Sequence, residues 1–104
     1  MKRIHLFIFG MIQGIGYRYF VSEKAKELGL VGWIKNKKDG SVEAVFQTKP
    51  LSVAGQPMTD QEAEMTVQKM VSICREGPIS ASVTHIEEKW EDAEEETFDD
   101  FEVR

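Results

Sequence analysis

Residues 4–9, IHLFIF, set Ile4, Leu6 and Ile8 on one side of an extended chain and His5, Phe7 and Phe9 on the other. That alternation predicts a strand with one face in a core. A glycine-rich stretch, GMIQGIGYR (residues 10–18), ends it. Tyr17, Val21, Ala25 and Leu28 then recur at helical spacing. They predict a helix that starts at Tyr17 or Arg18 and turns this stripe inward. Gly29 stops it, since a glycine past the last turn accepts the left-handed conformation.

LVGWIKN and SVEAVFQ are two further strands, with Val42, Ala44 and Phe46 on one face of the second. KKDG between them is a turn signal, so the pair reads as a hairpin. TKPLSVAGQPMT follows, with two prolines and a glycine, and reads as an irregular loop. Thr59 and Glu62 match a capping box. Behind them Ala63, Val67, Met70, Val71 and Cys74 form the apolar stripe of a second helix, closed by Gly77 and Pro78. SVTHIEEKW is a strand with less regular alternation. The acidic run at 94–96 reads as a solvated turn, and FDDFEVR as a short final strand.

The order is strand, helix, strand, strand, helix, strand, with one extra strand at the end. Two helices on one face of an antiparallel sheet bury every apolar stripe. This is an α+β, ferredoxin-like βαββαβ sandwich, with residues 1–104 as a single domain. Fold alone leaves the function open.

Composition narrows the choice. The chain has 104 residues, enough for one modest core. Its net charge of −5 disfavours nucleic acid as a partner, because affinity there comes mainly from neutralising phosphates. A small anion needs only one local positive site. MKR followed by LFIFGMI superficially resembles a signal peptide, but the apolar run is short, Gln13 interrupts it and no cleavage motif follows. No stretch reaches membrane-spanning length. The single cysteine, Cys74, permits no internal disulfide and fits core packing. The expectation is a cytoplasmic monomer without membrane contact.

The chemistry lies in GMIQGIGYR. Glycines between a strand and a helix let successive backbone N–H groups converge on an anion. The helix N-terminus adds a positive end. Arg18 adds a planar fork matched to phosphate oxygens. A plain tight connection with a solvated arginine is the competing reading. Neither a Walker loop nor a full dinucleotide fingerprint is present: no G-K-[ST] follows, and Tyr19 stands where a third glycine is needed.

GMIQGIGYR resembles the acylphosphatase signature G-x-V-Q-G-V-G-F-R, with Ile12, Ile15 and Tyr17 as conservative replacements. Asn36, eighteen positions after Arg18, ends GWIKN and is similar to the family's G-W-V-x-N. AKELGLVGW, DGSVEA, EGPISASV and the closing FEVR extend the resemblance over nearly the whole chain. It implies a metal-free, cofactor-free hydrolase that cleaves acyl phosphates into carboxylate and inorganic phosphate. Carried onto this chain, Arg18 binds the phosphoryl group with backbone N–H groups of Gln13, Gly14, Ile15, Gly16 and Tyr17, and Asn36 positions the attacking water.

The residue types suit that reaction. A carboxylate leaving group, with a conjugate-acid pKa of about 4, departs without a general acid. Asn36 is too weak a base to take a proton but can orient water. Lys35, Lys37 and Lys38 either guide anions or form a solvated hairpin tip. His5 reads as a sheet-surface residue, and Trp33 and Trp90 as packing residues. The alternative function is a non-catalytic, RNA-recognition-like binding module using the Phe7 and Phe9 face. Against it, the third strand lacks the corresponding RNA-binding motif. Residues 48–58 are longer than the family's usual link into the second helix, and either shield an edge of the site or do nothing.

Overall fold

The computed structural model describes residues 1–93 and 98–104. The acidic run expected as a solvated turn, 94–96, lies outside the described residues. Among the described residues seven elements follow one another: β1 (Lys2–Met11), α1 (Tyr17–Glu27), β2 (Val31–Asn36), β3 (Val42–Gln47), α2 (Asp60–Glu76), β4 (Ser82–Asp92) and β5 (Phe101–Val103). The sheet order is β4-β1-β3-β2-β5. The first four strands pair antiparallel, as the ferredoxin-like reading requires. β5 instead runs parallel to β2, with Gly32 opposite Phe101 and Ile34 opposite Val103. The antiparallel ferredoxin-like sheet is as expected, and the extra C-terminal strand joins it in parallel, which makes the whole sheet mixed.

The core is one cluster running from Ile4 to Phe101. Ile4, Leu6 and Ile8 of β1 and Val42, Ala44 and Phe46 of β3 are fully buried. They meet Tyr17, Val21 and Ala25 of α1 and Val67, Met70 and Cys74 of α2. Phe101 anchors β5 by stacking on Phe46, with ring centroids 5.2 Å apart. Burial pushes the Cys74 thiol up to about 12, an inert packing residue as its place in the stripe predicted.

Two local expectations change. β1 does not end at the glycine-rich stretch but runs on through Gly10 and Met11, with a bulge between Phe9 and Gly10. Gly10 has φ 143°, and a Cβ there would lie 2.0 Å from the Ser82 carbonyl oxygen. That glycine allows close approach of β4 and is not a strand terminator. The capping box at α2 is half of the usual pair: the Thr59 hydroxyl accepts from the Glu62 N–H and itself donates to the Glu62 carboxylate.

The sheet's second face carries His5, Phe7 and Trp33. His5 Nε2 lies 2.7 Å from Glu43 Oε2 and its ring stacks on Phe7, which fits a sheet-surface role. Trp90, expected to pack, keeps 39% exposure at the edge strand. Residues 48–58 are held by a Leu51–Pro57 bridge. Val53 lies where a Gly29 side chain would be, 2.9 Å from its ideal Cβ. Gly29 follows the C-terminal end of α1, roughly 16 Å from the helix start for eleven residues. The long segment therefore sits at the end of α1 opposite to Arg18 and does not border the site.

Candidate active site

β1 and α1 are joined by residues 12–16, and the junction is fastened on both sides. Ile12 is buried in the core before the turn. After it, Tyr17 is buried, and its hydroxyl donates to the Cys74 carbonyl at 2.6 Å. Burial raises the Tyr17 pKa far above its ordinary value, so the phenol is a permanent donor. Between these anchors Gly14 and Gly16 adopt φ 78° and 80°. Nothing lies within 4 Å of an added Cβ at either glycine, so their need is conformational and not steric.

Gly16 precedes α1, and its carbonyl accepts the first helical bond, from the Phe20 N–H. The N–H groups of Tyr17, Arg18 and Tyr19 therefore lack a partner in the helix. Among the described residues, the N–H groups of Gln13, Gly14, Ile15 and Gly16 make no hydrogen bond either. A run of unpaired donors thus stands at the positive end of a helix dipole.

A cavity of about 130 Å³ opens at this turn, lined by Ile12, Gly14, Gly16, Tyr17, Arg18, Tyr19 and Asn36. It brings together Arg18 and Asn36. Asn36 ends β2, and β2 reaches the turn because it pairs with β3, which pairs with β1. Gln13 and Ile15 do not line the cavity. Arg18 is half-buried, and its Nη1 donates to the Arg104 carbonyl at 2.6 Å. One edge of the guanidinium is thereby held, and Arg18 lines the cavity.

Two contacts beside the cavity escaped the sequence reading. The Gln13 side chain spans to the β2–β3 hairpin, its Nε2 donating to the carbonyls of Lys37 at 2.8 Å and Ser41 at 2.9 Å. It ties the turn to the strand that carries Asn36. Its presence in the motif was the only signal, and that signal did not separate side chain from backbone. The Arg104 contact had none, since it depends on β5 lying beside β2. Phe7 and Phe9 lie on the other face of the sheet. Each already has a ring partner: Phe7 stacks on His5 at 4.7 Å and Phe9 on His85 at 5.8 Å. Among the described residues, no group of three His, Cys, Asp or Glu is placed to hold a metal, and no helix is long and apolar enough to cross a membrane.

Residues 4–56 match the family model described as Acylphosphatase. The chain is 41% identical over 102 residues to an acylphosphatase of Haloarcula marismortui, covering 98% of this chain and 94% of that one. It is 38% identical over 96 residues to one of Thermococcus kodakarensis, covering 90% of each. The crystal structure of acylphosphatase from Bacillus subtilis superposes with a TM-score of 0.81 at 27% identity, covering 100% of this chain and 99% of that one.

Proposed function

This chain belongs to the acylphosphatase family and is a hydrolase of acyl phosphates, and on that premise we propose how its own residues carry the reaction. The phosphoryl group sits in the 130 Å³ cavity, held by the N–H groups of Gly14, Gly16 and Tyr17, which line it, and by the Arg18 guanidinium, with Gln13 and Ile15 completing the turn beside it. The observation that carries this reading is the convergence of Arg18 and Asn36 on one cavity from two elements.

Asn36 orients a water against the phosphorus. The water oxygen bonds to phosphorus, the bond from phosphorus to the acyl oxygen breaks, and its electron pair leaves on the carboxylate. The water proton passes to a phosphate oxygen of the substrate. Backbone donors and Arg18 stabilise the charge on the phosphoryl oxygens, which is the main demand of phosphoryl transfer. The leaving group is stable at neutral pH, so this set needs no acid, metal or cofactor. Residues 1–104 act as one domain, as the single core supports. We read the protein as a cytoplasmic monomer that takes small acyl phosphates and not nucleic acid; its net charge of −5 supports the last point.

The deciding experiment is hydrolysis of acetyl phosphate in the presence of EDTA, with and without inorganic phosphate. Turnover that survives chelation and is competitively inhibited by phosphate is the expected result. Turnover abolished by EDTA overturns the metal-free mechanism. Loss of phosphate inhibition overturns the assignment of the turn as the phosphate site.

A further inference from the structure

A cavity of about 130 Å³ takes a phosphoryl group and leaves the acyl half of the substrate outside it. Where that half lies follows from the direction of attack. In phosphoryl transfer the attacking and leaving oxygens stand roughly in line across the phosphorus. With the water at Asn36, the acyl oxygen departs on the side away from Asn36. Asn36 is the one lining residue that β2 supplies, and the others come from the turn and from the start of α1. The acyl group therefore passes over the turn or over α1.

Few side chains of that wall are free to meet it. Gly14 and Gly16 carry none. Ile12 and Tyr17 belong to the core cluster and are buried. Arg18 is half-buried, assigned to the phosphoryl group and held at one edge by the Arg104 carbonyl. Tyr19 remains. It lines the cavity and is 71% exposed although it is large and aromatic. Its phenol makes no hydrogen bond, and its ring meets no other ring and no cation, among the described residues. Its neighbour Phe20 differs on each count: it packs against the core, and Lys24 Nζ stands 5.7 Å from its ring centroid. The fold thus leaves one aromatic ring uncovered at the wall of the phosphate cavity.

We propose that the Tyr19 ring is the surface over which the leaving acyl group lies, and that it favours acyl phosphates whose acyl group is a flat aromatic ring. The proposal rests on the phosphate site and on the water position assigned to Asn36 above. An exposed ring offers an aryl group a stacked or edge-on contact and offers a methyl group far less area. The phenol hydroxyl has no part in that contact. One aromatic pair is worth about fivefold in kcat/KM. No charge is involved, so added salt leaves the preference as it is.

The test compares kcat/KM for benzoyl phosphate and acetyl phosphate in the native chain, Tyr19→Ala and Tyr19→Phe, with inhibition by inorganic phosphate measured on each. The intrinsic reactivities of the two substrates cancel when the benzoyl-to-acetyl ratio of a variant is divided by that of the native chain. The expected result is a ratio about fivefold lower in Tyr19→Ala and retained in Tyr19→Phe, with one phosphate inhibition constant throughout. An unchanged ratio in Tyr19→Ala overturns the proposal. So does an equal fall for both substrates, the signature of a disturbed turn and not of a lost contact. A ratio that falls as far in Tyr19→Phe as in Tyr19→Ala also overturns it, because the hydroxyl and not the ring would then decide. Native turnover of acetyl phosphate that inorganic phosphate leaves uninhibited would instead count against the phosphate-site reading.

Discussion

Arg18 and Arg104, eighty-six residues apart, meet through a 2.6 Å hydrogen bond from the Arg18 guanidinium to the Arg104 main-chain carbonyl. The acceptor is in place because the Arg104 N–H donates to the Ile34 carbonyl at 2.8 Å, continuing the β5–β2 pairing. The end of β5 thus holds one edge of the arginine proposed to bind phosphate. Deleting Arg104 leaves Phe101 stacked in the core but removes this anchor. KM for acetyl phosphate and the phosphate inhibition constant are expected to rise together, by about tenfold, with the melting temperature nearly unchanged. Steady-state kinetics beside a thermal melt check this; a pure loss of stability would argue against positioning.

Arg18 and Asn36 should separate kinetically. On the proposed mechanism Arg18→Ala removes a charge that serves both ground state and transition state, so phosphate affinity and turnover are expected to fall together. Arg18→Lys should restore little, because a point charge does not reproduce the fork. Asn36→Ala should lower kcat by about a hundredfold with phosphate inhibition retained, the pattern of a group that acts on the attacking water. Substantial activity in Arg18→Ala, or loss of phosphate binding alone in Asn36→Ala, would reverse these roles.

The glycines should sort into two kinds. Gly10→Ala drives a Cβ onto the Ser82 carbonyl oxygen at 2.0 Å. It is expected to cost about 3 kcal/mol or more in urea unfolding. Gly14→Ala and Gly16→Ala meet open space. Each should cost only the backbone strain of a left-handed residue, about 1–2 kcal/mol. Their larger effect should appear in phosphate binding, because the turn no longer aims its donors.

Gln13→Ala removes two hydrogen bonds that tie the turn to the hairpin. At roughly 1 kcal/mol each, the stability loss is modest. The expected kinetic effect is a several-fold rise in KM and a fall in kcat, since Asn36 and the donors lose their common frame. Gln13→Glu should do no better, because a carboxylate cannot donate to the two carbonyls.

Cys74 is fully buried, and its thiol is pushed up to about 12 by that burial. Almost no thiolate exists below pH 9 in the folded protein. A disulfide reagent should therefore label it only through opening of the fold, at a rate that rises with urea. Fast labelling of native protein would contradict its place in the core.

The element order was legible from periodicity because each apolar stripe has one partner layer to bury against. Val42, Ala44 and Phe46 announce a strand face, and Val67, Met70 and Cys74 a helix face, wherever they pack. The motifs that single out Arg18 and Asn36 were legible as well, since each is short and local with a recognisable spacing, and the structure lines one cavity with both residues. Gly10 was misread for the opposite reason. Its role depends on the Ser82 carbonyl, seventy-two residues away in the chain.

By itself the sequence determined the order and faces of the elements and the glycine-rich turn before α1 whose backbone donors suit an anion. These depend on local propensity and on the side-chain period. Only the tertiary structure decided that β5 runs parallel to β2, that Arg104 holds Arg18, and that Gln13 bridges to the hairpin. It also decided that residues 48–58 lie at the end of α1 away from the site. Those relationships come from sheet order and register, which the buried faces of all the strands settle jointly and no single segment encodes.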